Sequence, residues 1–324
     1  MKSCFIQSGN NGTSFLFRDV PEPQPKAGEI VVRVRAASLN RGELLAQSAH
    51  YQADAPRPAG GDAAGEVHAL GEGVTGFKRG DRVMGRGQGC FSEYAVLRAE
   101  QVVPLPERLS WEQGGAIPLA YVTVYEMLFT YGKLKAGETL LVTGASSGVG
   151  VGCIQTGKAL GARVVATSRS ADKLAKLKPL GLDAGIEARD GKFADKVLEA
   201  TGGEGANLAI NLVGGGIFPE LVRSLANKGR LAIVGSLDGA KEGMLDLSAV
   251  HAKRLQIFGV SNARMTPTDR AEAMRGFARD MLPMFADGRI VPLVDKVFPF
   301  EELPAAKGYV EGNAQVGKVV VRFT

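Results

Sequence analysis

The chain has 324 residues, enough for about two domains, with 45% apolar and 23% charged positions; this excludes a disordered chain and one that needs a disulfide or metal staple to fold. Lys and Arg exceed Asp and Glu by 39 − 34 = +5, and no basic run or aromatic-interleaved patch points to nucleic acid. No apolar run reaches the ~18 residues of a membrane span, and the three scattered cysteines, with no C-x-x-C pair, fit a reducing, cytoplasmic setting.

In chain order, residues 1 to about 108 read as β-rich. Residues 29–37 alternate apolar and charged positions, which predicts a half-buried strand. Residues 65–71 and 81–85 read as short strands bounded by glycine, and Pro21, Pro23 and Pro25 mark a turn-rich connection. Residues 92–97 and 101–104 complete a meander. Ser110 and Gln113 have capping-box spacing and open a long predicted helix through Phe129. From Thr139 the texture changes to short apolar strands separated by helical segments. The strands are 140–142, 163–167, 208–212, 230–234 and 255–259. Continuous apolar strands of this kind predict a parallel sheet covered on both faces. A helix over 268–285, a strand near Lys296, a helix from Glu301 and a last strand over 318–322 complete the pattern.

Glycine is in excess, at 43 residues or about twice the usual ~7% share. The run Thr143-Gly-Ala-Ser-Ser-Gly-Val-Gly150 stands between a predicted strand and a predicted helix. There glycines let the backbone approach a pyrophosphate, with a helix N-terminus donating N–H groups. Ala145, Ser146, Ser147, Gly148, Val149 and Gly150 are therefore candidate cofactor contacts. A bare strand-to-helix turn would share the spacing, but the βα alternation continues for about 120 residues and favours a dinucleotide. The second strand of such a fold ends near an Asp or Glu in NAD sites. Here the segment is Thr167-Ser-Arg-Ser-Ala-Asp-Lys173. Ser168, Arg169 and Lys173 suit a 2′-phosphate, which selects NADPH. Asp172 fits a helix cap. The letters T-G-x-x-x-G-x-G also occur in short-chain dehydrogenases, but some 140 residues precede them here. Moreover, the only Tyr-x-x-x-Lys, Tyr131 to Lys135, lies upstream of the glycine turn.

Taken with segments such as Ala37-Ser-Leu-Asn-Arg, Gly61-Asp-Ala-Ala-Gly-Glu-Val, Val74-Thr-Gly-Phe-Lys-Arg-Gly-Asp-Arg-Val and Gly317-Lys-Val-Val-Val, the whole chain resembles the medium-chain dehydrogenase/reductase superfamily. Within it the chain is most similar to the zinc-independent quinone oxidoreductase branch. The resemblance implies an α/β fold, with a doubly wound parallel Rossmann sheet (121–262) inserted into a GroES-like β-barrel catalytic domain (1–120 and 263–324). Zinc relatives carry a cysteine and a histidine where this chain has Leu39-Asn40-Arg41, and His-Glu where it has Gly61-Asp62. No zinc ligand set is rebuilt by spacing, so no metal is expected.

The same resemblance implies an NADPH-dependent reductase acting on a small quinone or an α,β-unsaturated carbonyl. The alternatives are an enoyl-thioester or alkenal double-bond reductase, and a non-catalytic NADPH-binding sensor or RNA-binding relative. It places the nicotinamide in the cleft between the domains, near Asn40 and Thr123. Arg189, Val213, Gly235, Ser236, Val260 and Asn313 are further cofactor positions. Tyr51 is the candidate donor to a developing oxyanion, and Asn40 is the second candidate catalytic residue. Glu43, in the same segment, reads as an exposed helix carboxylate. A homodimer paired through residues 255–259 is expected.

Overall fold

The computed structural model describes residues 1–9, 12–44, 55–262 and 264–324. The chain forms two units, Met1–Val122 with Met265–Thr324, and Thr123–Arg264.

The first unit opens with a hairpin of β1 (Lys2–Gly9) and β2 (Gly12–Asp19), which the sequence reading passed over. There follow β3 (Glu29–Ser38), the short helix α1 (Arg41–Leu44), β4 (Arg57–Pro58), β5 (Asp62–Leu70), β6 (Arg82–Arg86), β7 (Tyr94–Arg98) and β8 (Val102–Pro104). β3 is buried along most of its length, not half-buried as its alternation suggests. One face joins the main core with Ile30, Val32 and Val34. On the other, Ala36 packs with Ala116 and Val320, beneath the helix that follows β8. Small side chains there let a helix lie on the sheet, a tertiary choice that alternation cannot register.

The helix expected over 110–129 is three pieces: α2 (Trp111–Gly115), α3 (Pro118–Tyr125) and a π-helical segment over Glu126–Tyr131. The capping box forms, with Gln113 N–H donating to Ser110 Oγ at 3.2 Å and Ser110 N–H to Gln113 Oε1 at 3.0 Å. Pro118, which has no N–H, forces the break between the first two pieces.

The second unit is a six-stranded parallel sheet of β9 (Thr139–Val142), β10 (Arg163–Ser168), β11 (Ala184–Glu187), β12 (Ala206–Asn211), β13 (Leu225–Ile233) and β14 (Gln256–Gly259). The strand order is β11-β10-β9-β12-β13-β14. β11 has only four residues, too few for a periodic signal. Helices α4 (Gly148–Ala159), α5 (Ala171–Leu177), α6 (Ala194–Ala200), α7 (Phe218–Ser224) and α8 (Leu247–Lys253) connect the strands. The chain then returns to the first unit with α9 (Pro267–Asp280), α10 (Leu282–Ala286), β15 (Val294–Pro299), α11 (Leu303–Glu311) and β16 (Lys318–Arg322). The single helix expected over 268–285 is therefore two. β16 pairs antiparallel with β3, in a sheet ordered β15-β16-β3-β5-β6-β8 with β7 also on β3. No helix among the described residues is long and apolar enough to cross a membrane.

Arg230 anchors β13 to the strand's surroundings. Its guanidinium pairs with Glu138 at 2.6 Å and donates to the carbonyls of Gly132, Lys133 and Asn207 at 2.6, 3.0 and 3.2 Å. Replacement by methionine leaves a mostly buried carboxylate and three carbonyls without this donor. Arg230→Met is expected to cost about 2–3 kcal/mol, read as a lower denaturant midpoint at unchanged slope.

Candidate functional site

In the second unit the strand order reverses between β9 and β12, the switch point at which open α/β sheets bind ligands beyond their carboxyl ends. The glycine-rich turn leaves β9 at that point. Gly144 has φ +65°, and Ser147 caps α4, its Oγ accepting from Gly150 N–H at 3.0 Å and donating to the Gly144 carbonyl at 2.9 Å. A Cβ on Gly150 would lie 2.6 Å from the Ala145 carbonyl oxygen and 2.7 Å from that of Gly144. The backbone is therefore folded on itself, with the first N–H groups of a 12-residue helix open at its mouth.

Ser168 ends β10 and stands in register with Glu187, the end of β11. Its Oγ accepts from Ser170 N–H at 3.2 Å, which leaves the hydroxyl proton to donate. Ser170, and not Asp172, is the cap of α5; Asp172 sits in the first turn, where its charge complements the helix dipole. Arg169 is exposed and makes no ion pair among the described residues. Arg189 Nε bonds Glu187 Oε1 at 2.6 Å, so the carboxylate that ends β11 is paired.

Beyond β12, Asn211 shapes the next turn. Its Oδ1 accepts from the N–H groups of Val213 and Gly214, both at 3.0 Å, and its Nδ2 donates to the Gly214 carbonyl at 3.0 Å. Sequence reasoning missed Asn211; an amide at a strand end just before three glycines (214–216) is the signal that could have found it. Gly235, Ser236 and Val260 follow β13 and β14, and Thr123 Oγ1 accepts from Asn262 Nδ2 at 2.6 Å. All of these belong to the same unit and lie beyond the carboxyl ends of its parallel strands. Asn40 and Asn313 belong to the other unit. Tyr51 falls outside the described residues.

The first unit holds a second constellation, which the sequence reading did not assemble. Asn40 is its hub. Its Oδ1 accepts from Lys318 Nζ at 2.6 Å, and its Nδ2 donates to Glu43 Oε1 at 3.0 Å and Asp62 Oδ1 at 3.1 Å. Lys318 Nζ also donates to the Leu39 carbonyl at 3.1 Å. Asp62 is fully buried; it accepts from Ser38 Oγ at 2.9 Å and, through Oδ2, from Leu119 N–H at 3.1 Å. Glu43 corrects the exposed-carboxylate reading. The residue is partly covered and its carboxyl end lies inside: Oε2 is shielded from solvent and has no hydrogen-bond partner among the described residues. A Cβ on Gly61 would overlap Glu43 Oε1, so this carboxyl occupies the space that a side chain at 61 would take.

Burial pushes Glu43 up to about 8, with the neighbouring Asp62 charge adding to it; Asn40, Lys318 and Arg57 pull the other way less strongly. Burial likewise lowers Lys318, against the attraction of both carboxyls. Cys90 is held well above the ordinary thiol range by burial and by the same two acids.

Two family profiles match the chain: an alcohol dehydrogenase GroES-like domain over residues 26–107 and a zinc-binding dehydrogenase domain over 148–279. An acryloyl-coenzyme A reductase from Metallosphaera sedula is 31% identical, over 99% of this chain and 99% of that protein. The chain is a medium-chain dehydrogenase/reductase. The human quinone oxidoreductase, at 28% identity, matches 94% of this chain and 92% of its own. The crystal structure of a mycobacterial protein complexed with NADPH superposes with a TM-score of 0.87 at 26% identity, covering both chains fully.

In this medium-chain dehydrogenase/reductase the residues do not fit the zinc that one profile is named for. Gly61 has no side chain, the Asn40 amide donates to both carboxyls while its oxygen takes the Lys318 ammonium, and the Cys90 thiol resists ionisation. No group of three or more His, Cys, Asp or Glu among the described residues could hold a metal ion.

The raised Glu43 group sets a sign for stability. Below its ordinary value of 4.5 the carboxyl is protonated folded or unfolded; from there to about 8 the folded protein keeps a proton that the unfolded chain has lost. Its contribution is therefore present at low pH and lost as pH rises through that window. Thermal unfolding of the ligand-free protein should show the wild-type midpoint falling relative to Glu43→Gln between about pH 4.5 and about pH 8, and a constant difference outside it. A difference that does not vary with pH would contradict the assignment.

Proposed function

We propose that this protein is an NADPH-dependent reductase that delivers hydride to a quinone or to a carbon–carbon double bond conjugated to a carbonyl, without zinc. The observation that carries the reading is the pairing of the glycine turn at the switch point with a ribose end made of Ser168, Arg169 and Lys173, while Glu187 is occupied by Arg189. The turn fits a pyrophosphate: Gly150 leaves room for backbone only, and Ser147 caps α4 through Gly150 N–H. Ser168 and Arg169 supply a hydroxyl and an exposed guanidinium for a 2′-phosphate, with Lys173 one turn further on.

NADPH bound there supplies a hydride. The chain's residues orient it: Val213, Gly235, Ser236 and Val260 line the strand ends, and Thr123, held by Asn262, and Asn313 are further contacts in this reading. Asn40 serves as a positioning residue, its amide being taken up by Lys318, Glu43 and Asp62. Tyr51 is the proposed oxyanion donor. With no Lewis acid to polarise a plain ketone, acceptors already activated by conjugation are the ones suited to this site. The M. sedula acryloyl-coenzyme A reductase, alike over nearly its full length, favours enoyl thioesters as a second acceptor class.

The protein is further proposed to be cytoplasmic, with its three buried cysteines free, and to be a homodimer. Among the described residues β14 pairs only with β13, which leaves its outer edge for strand pairing, and Leu247 nearby in sequence is 72% exposed.

Arg169→Ala should weaken NADPH binding roughly ten- to a hundredfold, the loss of one charge-assisted hydrogen bond, and leave NADH nearly unchanged. Equal losses for both cofactors, measured by titration calorimetry, would remove Arg169 from the 2′-phosphate site. Light scattering at micromolar concentration should report twice the 34.1 kDa chain mass; a monomer would remove the dimer.

A further inference from the structure

Hydride addition turns a quinone or an enone into an anion, and reduction is complete only when that anion gains a proton. The cluster around Asn40 supplies a specific source.

Glu43, Asp62 and Lys318 stand around one amide, and that amide divides them. The Asn40 oxygen takes the ammonium, and its nitrogen serves one oxygen of each carboxyl. Asp62 has partners on both oxygens, from Ser38, Asn40 and Leu119 N–H, so it is the acid whose charge is best satisfied. Glu43 has a partner on Oε1 only. Its Oε2 is shielded from solvent and meets no partner among the described residues. Two carboxylates would share one buried ammonium, with Arg57 exerting the weakest pull on Glu43, and this leaves a buried charge poorly compensated, which costs more than keeping that group neutral. The neutral group must be the one with the unserved oxygen. An O–H at Oε2 has no acceptor in the described chain; it is a donor whose partner is still to come.

We propose that Glu43 is the proton donor of the reduction, carrying its proton on Oε2 and giving it to the anion formed when the acceptor takes up hydride. This rests on the reductase reading above. In the step, the Glu43 O–H bond breaks and a bond forms from that proton to the enolate carbon or the hydroquinone oxygen. The acceptor has by then gained the hydride's two electrons, and the cofactor is the group oxidised. Glu43, left as a carboxylate next to Asp62, regains a proton from water. Lys318 and Arg57 stabilise the transient extra charge, and Cys90, facing the same acids, remains a thiol. Asn40 holds the Glu43 carboxyl in place throughout.

Two readouts test this, one without turnover. Infrared spectra of the ligand-free protein should show a protonated-carboxyl band at neutral pH that fades as pH rises through about 8. The band should be absent in Glu43→Gln and shifted by 13C-glutamate labelling, which assigns it even if the variant folds poorly. With an enone and NADPH, kcat should fall over the same pH range as the band. It should drop tenfold or more in Glu43→Gln while NADPH affinity holds, and the wild type should show a solvent isotope effect on kcat that the variant lacks. Asp62→Asn, which removes the charge that favours protonation, should move the alkaline limb to lower pH. Absence of the band, or a Glu43→Gln protein that turns over enone at the wild-type rate, overturns the proton donor and leaves the reductase reading standing. A wild-type protein that binds NADPH and reduces neither quinone nor enone overturns the reductase reading, and the delivery step with it.

Discussion

The buried polar cluster of the first unit turns on where a single amide points. Asn40 offers its oxygen to a buried ammonium and its nitrogen to two carboxyls, and each contact fixes the next. Reversed, the same amide would set its N–H groups against Lys318 and its oxygen against two acids, leaving buried polar groups unpaired at a cost of about 1–3 kcal/mol each. The hub also closes the fold. It joins the end of β3, the helix α1, the start of β5 and the start of β16, which is supplied from beyond the inserted unit. The contact from Lys318 to Asn40 spans 278 residues of sequence. Such long closures are entropically costly, and the buried charge makes this one specific to a single register.

The two units apply different physics to ligand chemistry. The parallel sheet gathers backbone: N–H groups at a helix start, a serine cap and a glycine that leaves no space for a side chain. It suits phosphate, which is recognised by geometry and charge and requires no proton transfer. The first unit gathers titratable side chains in a place dry enough to alter them. Glu43, Lys318 and Cys90 are all moved by burial first and by the Asp62 charge second. The division matches a reaction in which one part holds the reductant and another manages charge on the acceptor.

The absence of zinc ligands is built into the same cluster. Gly61 must be bare because the Glu43 carboxyl fills the space above it. Lys318 supplies positive charge near the two acids through a fixed ammonium, which takes carbonyl and amide oxygens as partners and polarises no substrate oxygen. The charge balance of the pocket is therefore made from the chain itself.

The sequence by itself determined the glycine turn, the capping box at Ser110 and the parallel strand alternation, because each depends on residues within one or two turns of each other. It also determined the basic character of the β10 end, since Ser168, Arg169 and Lys173 are neighbours in the chain. It could not show that Ser170 caps α5 in place of Asp172, a choice between candidates two residues apart made by backbone angles. It could not show that β3 is covered on both faces, because the residues that cover it come from α2 and β16. Least of all could it show the state of Glu43. An acid three residues after Asn40 looks like ordinary helix surface, and only tertiary structure brings Asp62 and Lys318 to it from 19 and 275 positions away. Local spacing decides what a backbone can form. What a buried carboxyl becomes is decided by which charges the fold places beside it and by how much water it removes.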